Sequence, residues 1–341
     1  FYELCDEMGI MVWQDFMFAC SMYPAHREFL QSVKIEAEYQ VNRLKTHPSI
    51  VLWCGNNEIA IAWHGWGWKE ELPYSVWEDY AKIFHEVLAE VCINLDSKRL
   101  YWPSSPGYTT KLPKNNQIYG SGDNHYWGVW HGGDGFDAFE KNIGRFLSEY
   151  GMQSFPEMAT IMKFADKEDL DINSEVMLAR QKASLGTGNL IKYIKDYLTM
   201  QSDFAALVVS SQITQALAIK TAVETHRRSM PFCMGTLYWQ FNDCWPAISW
   251  SSLDYYGNWK ALHYHAKRFF KPIIILIHEK EGKVFFSLVN DQHQKVKLSI
   301  HILVSTFDGS IILQRTINDL VSKFSSKEVF SFEKKEYFEG Q

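Results

Sequence analysis

Through the first 270 residues, short continuous apolar runs alternate with stretches whose apolar positions recur every three or four residues. Phe1, Leu4, Cys5 and Met8 keep helical spacing until Gly9, and Ile10 to Trp13 then form a strand-like run ending in Gln14 and Asp15. Phe29, Val33, Ala37, Val41 and Leu44 predict an amphipathic helix closed by His47-Pro48. Ile50 to Trp53 is the next strand. A helix with Trp77, Tyr80, Phe84, Val87 and Val91 on its apolar face follows from Ser75, where Ser75 and Glu78 have capping-box spacing. Leu100 to Trp102, Ile118 to Tyr119, Arg145 to Leu147 and Met234 to Trp239 are further strand candidates. Ser154 and Glu157 around Pro156 predict another helix start, and a long helix is expected over Gln212 to Arg228.

Strands alternating with helices imply a parallel sheet built with crossover connections. Polar residues cluster where these strands end: Gln14-Asp15, Asn56-Asn57-Glu58, Ser104-Ser105, Asp123-Asn124-His125, Ser148-Glu149 and Gln240 to Asp243. In a (β/α)8 barrel the C-terminal ends of the strands form the active-site face, whereas a doubly wound sheet gathers its ligand at one switch point, usually on a Gly-rich turn that is absent here. The pattern therefore predicts an α/β fold of the TIM-barrel kind. Six strands are legible, so the chain is expected to hold about strands 3 to 8, with the first two upstream of Phe1.

From Lys271 the texture changes. Val296, Leu298, Ile300, Ile302 and Val304 alternate with Lys297, Ser299, His301 and Leu303, and Asp308-Gly309 marks a hairpin. The expected organisation is a barrel domain over 1–270 and part of an immunoglobulin-like β-sandwich over 271–341.

Composition narrows the chemistry. The chain of 341 residues carries 34 basic and 40 acidic groups, a net charge of −6 without a long basic run, which argues against an electrostatic nucleic-acid footprint. No apolar run approaches a membrane span, and no partner of either class is expected. Thirteen Trp, 17 Tyr and 22 Phe make 15% of the chain; such rings fill cores, and they also suit sugar faces. The six cysteines have neither metal-ligand nor tight disulfide spacing and are expected to be mostly buried free thiols. The chain begins without Met inside an expected helix, so it is expected to be a fragment. It should then be poorly stable and weakly active alone, because its sheet would have open edges.

Glu58 and Glu149 each close an apolar strand, in LWCGNNE and GRFLSEYG, three strands apart by the strand count. Either alone could be a solvated or salt-bridged carboxylate; facing each other over a pocket, two such groups are the minimal equipment for glycoside hydrolysis.

With the preceding HPSIV, Leu52 to Glu58 together with Ser148-Glu149-Tyr150-Gly151 and GTLYWQFND at Gly235 to Asp243 resembles the catalytic barrel of glycoside hydrolase family 2, in its β-mannosidase branch. VWQDFMFAC at Val12 to Cys20, SSPG at Ser104 to Gly107, GDNHYWGVW at Gly122 to Trp130 and SWSSLDYYGNWKALHY at Ser249 to Tyr264 extend the likeness over Phe1 to Phe270. The resemblance implies Glu58 as general acid/base, Glu149 as nucleophile, Asn57 as the hydrogen-bond partner of the sugar 2-hydroxyl and Trp239 as part of the floor under the reacting sugar. Tyr126, Trp127, Trp66 and His125 are further candidates for the sugar pocket. It implies retention by double displacement, for which the carboxyl groups should stand about 5–5.5 Å apart, and it requires neither metal nor organic cofactor.

The implied partner is a terminal β-mannoside of an oligosaccharide or glycan, with further domains of the same polypeptide completing the pocket. β-Galactosidase, β-glucuronidase and exo-β-glucosaminidase chemistry would use the same fold and the same two glutamates. A carbohydrate-binding protein that uses the aromatics as platforms is the reading from a different class. The compartment stays open between bacterial periplasm or cytoplasm and an animal lysosome. His263 and His265 are alternate residues that do not share a helix face, against a metal pair. Asp123 and Asp134 read as loop residues, and Cys54 as a packing residue.

Overall fold

A computed structural model of the chain describes residues 1–107, 122–200 and 203–338; the strand expected at Ile118 to Tyr119 lies outside them. The chain forms two compact units, Phe1–His125 and Tyr126–Gln341.

In the first unit, helix Tyr2–Met8 ends at Gly9, whose left-handed φ of 67° lets the chain turn into the sheet. Strands β1 (Val12–Asp15), β2 (Ile50–Cys54) and β3 (Leu100–Trp102) form a parallel sheet in that order, with Asp15 opposite Cys54 and Cys54 opposite Trp102. Helix Arg27–Leu44 makes the first crossover and buries Val33, Ala37, Val41 and Leu44, the stripe legible in the sequence, in a core shared with Ile50, Trp53, Phe84 and Leu88. Between β2 and β3 run helices Ile59–Gly65, Trp68–Glu71 and Ser75–Ala81, a π-helical turn over Lys82–Val87, and helix Leu88–Asp96. Arg99 pins the start of the sheet: its guanidinium donates to the carbonyls of Lys45, His47 and Ile50 and to Asp96, which also accepts the Trp53 indole N–H. The two-residue β4 (Asn124–His125) closes this unit. The capping box expected at Ser75 and Glu78 does not form. Tyr74 already has helical backbone angles, so Ser75 lies inside the first turn and makes no cap bond.

In the second unit, β5 (Phe146–Glu149) and β6 (Gly235–Thr236) pair in parallel, Phe146 with Gly235 and Leu147 with Thr236. Only two residues of the expected Met234 to Trp239 strand have regular geometry. Beyond them, Leu237 and Trp239 still donate to the carbonyls of Leu147 and Tyr150. Helix Phe204–Arg228, longer than the expected 212–228 and capped by Asp203, runs through the core among Phe155, Leu190 and Tyr193. By length and composition it could cross a bilayer, contrary to the expectation from the sequence, but 67% of its apolar window is buried, as in a core helix.

After helix Ala261–Phe269, strands β7 (Ile273–Lys280), β8 (Lys283–Asn290), β9 (Val296–Ser305), β10 (Ile311–Val321) and β11 (Ser325–Glu333) form two antiparallel sheets, β11-β8-β7 and β10-β9. Phe286, Ile302, Leu313 and Phe332 from both sheets share one core. Gly309, at φ 91°, makes the predicted hairpin between β9 and β10. The buried Arg227 at the end of the long helix donates to the carbonyls of Phe269 and Lys271 and to Asp291, tying these strands to the helices of the same unit.

Candidate active site

The stretch after β2 explains why an apolar strand ends in two amides and a carboxylate. Asn56 is wholly buried. Its Oδ1 accepts the Ile59 N–H at 3.1 Å and the Ser104 hydroxyl at 2.9 Å, and its Nδ2 donates to the Pro103 carbonyl at 2.8 Å. It therefore starts the Ile59–Gly65 helix and joins it to the end of β3. Asn57 extends the parallel ladder, bridging Ala19 on one side and Ser105 on the other. Its side chain points the other way, with Nδ2 3.9 Å from Cys20 Sγ.

Glu58 follows with φ 64°, a left-handed conformation uncommon outside glycine. The Glu58 N–H donates to the Ser105 carbonyl at 2.7 Å, which helps to hold it there. Its carboxyl group is nearly enclosed, the residue being 8% exposed. Oε1 lies 2.8 Å from His125 Nδ1, and Oε2 accepts the Cys20 thiol at 3.5 Å. His125 Nε2 stands 2.9 Å from Ser105 Oγ, whose hydroxyl donates to Asp123 Oδ2 at 2.6 Å. Asp123 Oδ1 accepts the Gly107 N–H at 2.7 Å and the Trp102 indole N–H at 2.9 Å. Asn57, Glu58 and His125 are thus together, whereas Trp66 caps the far end of the helix that starts at Ile59 and stacks edge-on with Trp68. Cys54, beneath the site, is buried, and burial pushes its thiol well above the ordinary range, as expected of a packing residue rather than a nucleophile.

In the second unit Glu149 ends β5 and is also 8% exposed. Its Oε1 accepts the Trp127 indole N–H at 3.1 Å, and its carbonyl accepts the Tyr126 N–H at 2.9 Å. The Tyr126 ring is buried, with its hydroxyl donating to Asp134 Oδ2 at 2.7 Å; Asp134 thus anchors Tyr126. Behind Glu149, the buried Tyr150 hydroxyl bonds Thr236 Oγ1 at 2.7 Å, and that hydroxyl bonds His226 Nδ1 at 2.8 Å. Burial holds His226 down to about 3, and so uncharged.

Trp239 bridges Gly151, two residues past Glu149 along the chain, and 42% of its surface is open. The loop after it is held from below. Asp243 accepts the hydroxyls of Ser249 and Ser251 and the Gln240 amide N–H, and Lys260 Nζ donates to the Ser249 and Ser154 carbonyls. Burial pushes Lys260 down to about 7, against the opposing pull of Asp243, Asp254 and Glu157.

Cys20, Ser105 and Asp123 have site geometry that their sequence positions do not announce. Their signal in the sequence is that each lies in one of the motif stretches Val12–Cys20, Ser104–Gly107 and Gly122–Trp130, and that Ser105 and Asp123 belong to polar clusters at strand ends.

No protein-family model matches the sequence. The chain is 35% identical over 349 residues to a β-mannosidase of the goat Capra hircus, covering 96% of this chain and 39% of the goat protein. A β-mannosidase B of Aspergillus oryzae is 37% identical over 287 residues, 81% of this chain and 34% of the fungal one. Among solved structures, the β-D-mannosidase of Dictyoglomus thermophilum superposes with a TM-score of 0.90 at 41% identity, over 98% of this chain and 40% of that one. The chain therefore spans about two fifths of the length of such relatives. With the strand-end Asn-Asn-Glu and Ser-Glu-Tyr-Gly motifs in place, the chain belongs to glycoside hydrolase family 2, in its β-mannosidase branch.

Proposed function

We propose that the protein is a retaining, exo-acting β-mannosidase that removes terminal non-reducing β-D-mannose, with Glu58 as acid/base and Glu149 as nucleophile. The observation that carries this reading is the shared character of the two glutamates. Each stands at or just past the end of a parallel strand, each is nearly buried, and each has a ring nitrogen against its carboxyl group, in a chain whose relatives are named β-mannosidases. Glu149 attacks the anomeric carbon while Glu58 protonates the departing oxygen. Water then hydrolyses the glycosyl-enzyme, with Glu58 taking its proton. Asn57 would bond the 2-hydroxyl as positive charge develops at the anomeric carbon, and the open face of Trp239 would carry the sugar.

The architecture that goes with this reading is a (β/α)8 barrel of which residues 1–270 supply about strands 3 to 8, followed by part of an immunoglobulin-like sandwich over 271–341. Other domains of the same polypeptide would complete the pocket.

The test is hydrolysis of aryl β-mannoside, galactoside, glucoside, glucuronide and glucosaminide by the protein expressed from its complete open reading frame. Turnover of the mannoside alone is expected. Preference for another sugar would keep the chemistry and overturn the substrate, and no turnover would favour a carbohydrate-binding role.

A further inference from the structure

We propose that Asp123, Ser105 and His125 form a positioning relay that fixes the tautomer of His125, and with it the proton that Glu58 uses. The proposal rests on the assignment of Glu58 as acid/base and adds three residues acting behind it.

Donors and acceptors around Asp123 and Ser105 set the polarity of the His125 ring. Asp123 is 3% exposed, and it accepts from three donors: the Gly107 N–H and the Trp102 indole N–H on Oδ1, the Ser105 hydroxyl on Oδ2. A backbone or indole N–H can only donate, so Oδ1 is fixed as an acceptor. A serine hydroxyl has one proton, and here Asp123 Oδ2 receives it at 2.6 Å. The contact between Ser105 Oγ and His125 Nε2 at 2.9 Å must then be donated by the ring, so Nε2 carries a proton. Nδ1 remains for Glu58, 2.8 Å from Oε1 on a side chain only 2% exposed. In the neutral ring Nδ1 is an acceptor, and it faces Glu58 as a base.

The relay therefore favours a proton held between Glu58 and Nδ1. In the first chemical step a Glu149 oxygen bonds the anomeric carbon, the glycosidic C–O bond breaks with its electron pair left on the departing oxygen, and that oxygen takes the proton from Glu58, whose O–H electrons stay on the carboxylate. In the second, a water O–H bond breaks and its proton returns to Glu58, the water oxygen bonds the anomeric carbon, and the carbon–Glu149 bond breaks with its electrons returning to the Glu149 carboxylate. The opposite polarity, with Ser105 donating to Nε2, would put the ring proton on Nδ1. The ring would then donate to Glu58 and favour its carboxylate, which cannot act as the acid.

Asp123→Asn reverses the polarity without changing shape. The two N–H donors keep the amide oxygen at the Oδ1 position, so the NH₂ group faces Ser105 and turns the hydroxyl onto Nε2. A carboxylate-to-amide change of this kind leaves geometry intact and selects the wrong histidine tautomer in serine proteases. The measurement is kcat/KM of the protein from its complete reading frame with phenyl β-mannoside, whose leaving group needs protonation, and 2,4-dinitrophenyl β-mannoside, whose leaving group does not. In Asp123→Asn the phenyl substrate should lose about 10²- to 10³-fold and the dinitrophenyl substrate less than about tenfold. Equal losses, or none, would overturn the relay. Glu58→Ala run alongside must show the same selectivity. If it does not, the acid/base assignment has failed, and the relay falls with it. The ¹⁵N resonances of His125 in the unmodified protein give a check that needs no variant: a protonated Nε2 is expected, and a bare Nε2 with a protonated Nδ1 would overturn the proposal.

Discussion

The Trp127 indole N–H donates to Glu149 Oε1 at 3.1 Å, which fixes how the carboxyl group of the proposed nucleophile is turned at the end of β5. A ring held by its own packing against His131 and Trp250 supplies that donor. Trp127→Phe keeps most of the packing and removes the bond. Hydrogen bonds to charged groups contribute about 1.5–3 kcal/mol, so kcat/KM on an aryl mannoside should fall roughly tenfold to a hundredfold with little change in stability. A variant within about twofold of the parent would show that the indole does not orient Glu149.

Gly151 follows Tyr150 where the chain passes Trp239. A Cβ there would lie 2.3 Å from the Trp239 carbonyl oxygen and 3.0 Å from both the Trp127 and Trp250 rings. Gly151→Ala must displace a backbone carbonyl and two indoles, so it should disturb the proposed sugar floor. Loss of most activity and a lower Tm are the expected outcomes in activity and thermal-melt assays; a variant with parental values of both would contradict this account of the glycine.

Adjacent Asn56 and Asn57 should separate cleanly. Asn56→Ala removes the acceptor of the Ile59 N–H and leaves the Pro103 carbonyl and Ser104 hydroxyl without this partner, a loss of about 2–4 kcal/mol by the cost of unmade buried bonds. Asn57→Ala should keep stability and lose turnover. Urea titration with parallel kinetics would show whether the two effects fall on the residues as stated.

Two buried basic groups should contribute to the pH response of folding. The folded state holds His226 at about 3, below the ordinary imidazole value of about 6.5. Between those values the unfolded chain binds the extra proton, so stability rises with pH across the window and is lost on acidification from about 6.5. Lys260, held at about 7, acts in the same sense at higher pH. The unfolded ammonium keeps its proton to about 10.4, so stability rises between about 7 and 10. Unfolding measured against pH should show a shallower slope below 6.5 in His226→Gln and a shallower slope above 7 in Lys260→Met. Unchanged slopes would mean that these groups are not the titrating ones.

The strand ends were legible because burial and hydrogen bonding leave separate marks: an apolar run that stops at Asn, Asn and Glu must give each polar group a partner, and these groups find them just past the strand. The helical stripe at Val33, Ala37, Val41 and Leu44 and the hairpin at Gly309 were legible for the same reason, a local period or a local backbone need. The strand-end positions of Ser105 and Asp123 were legible too, but their bonds to each other and to His125 were not, because these join residues far apart along the chain. The capping box at Ser75 does not form because the chain is already helical at Tyr74, which puts Ser75 inside the first turn. The strand at Met234 to Trp239 shortened because its later residues follow the turn of the chain past Gly151 instead of a regular ladder.

The claim that Glu149 is the nucleophile of a retaining β-mannosidase is tested most directly by trapping. The protein from its complete reading frame would be incubated with 2-deoxy-2-fluoro-β-D-mannosyl fluoride, digested, and its peptides weighed. The account predicts one fluoromannosyl group per active site, carried by Glu149, with turnover lost in step. An adduct on a different carboxylate, or inhibition without any covalent adduct, would contradict it.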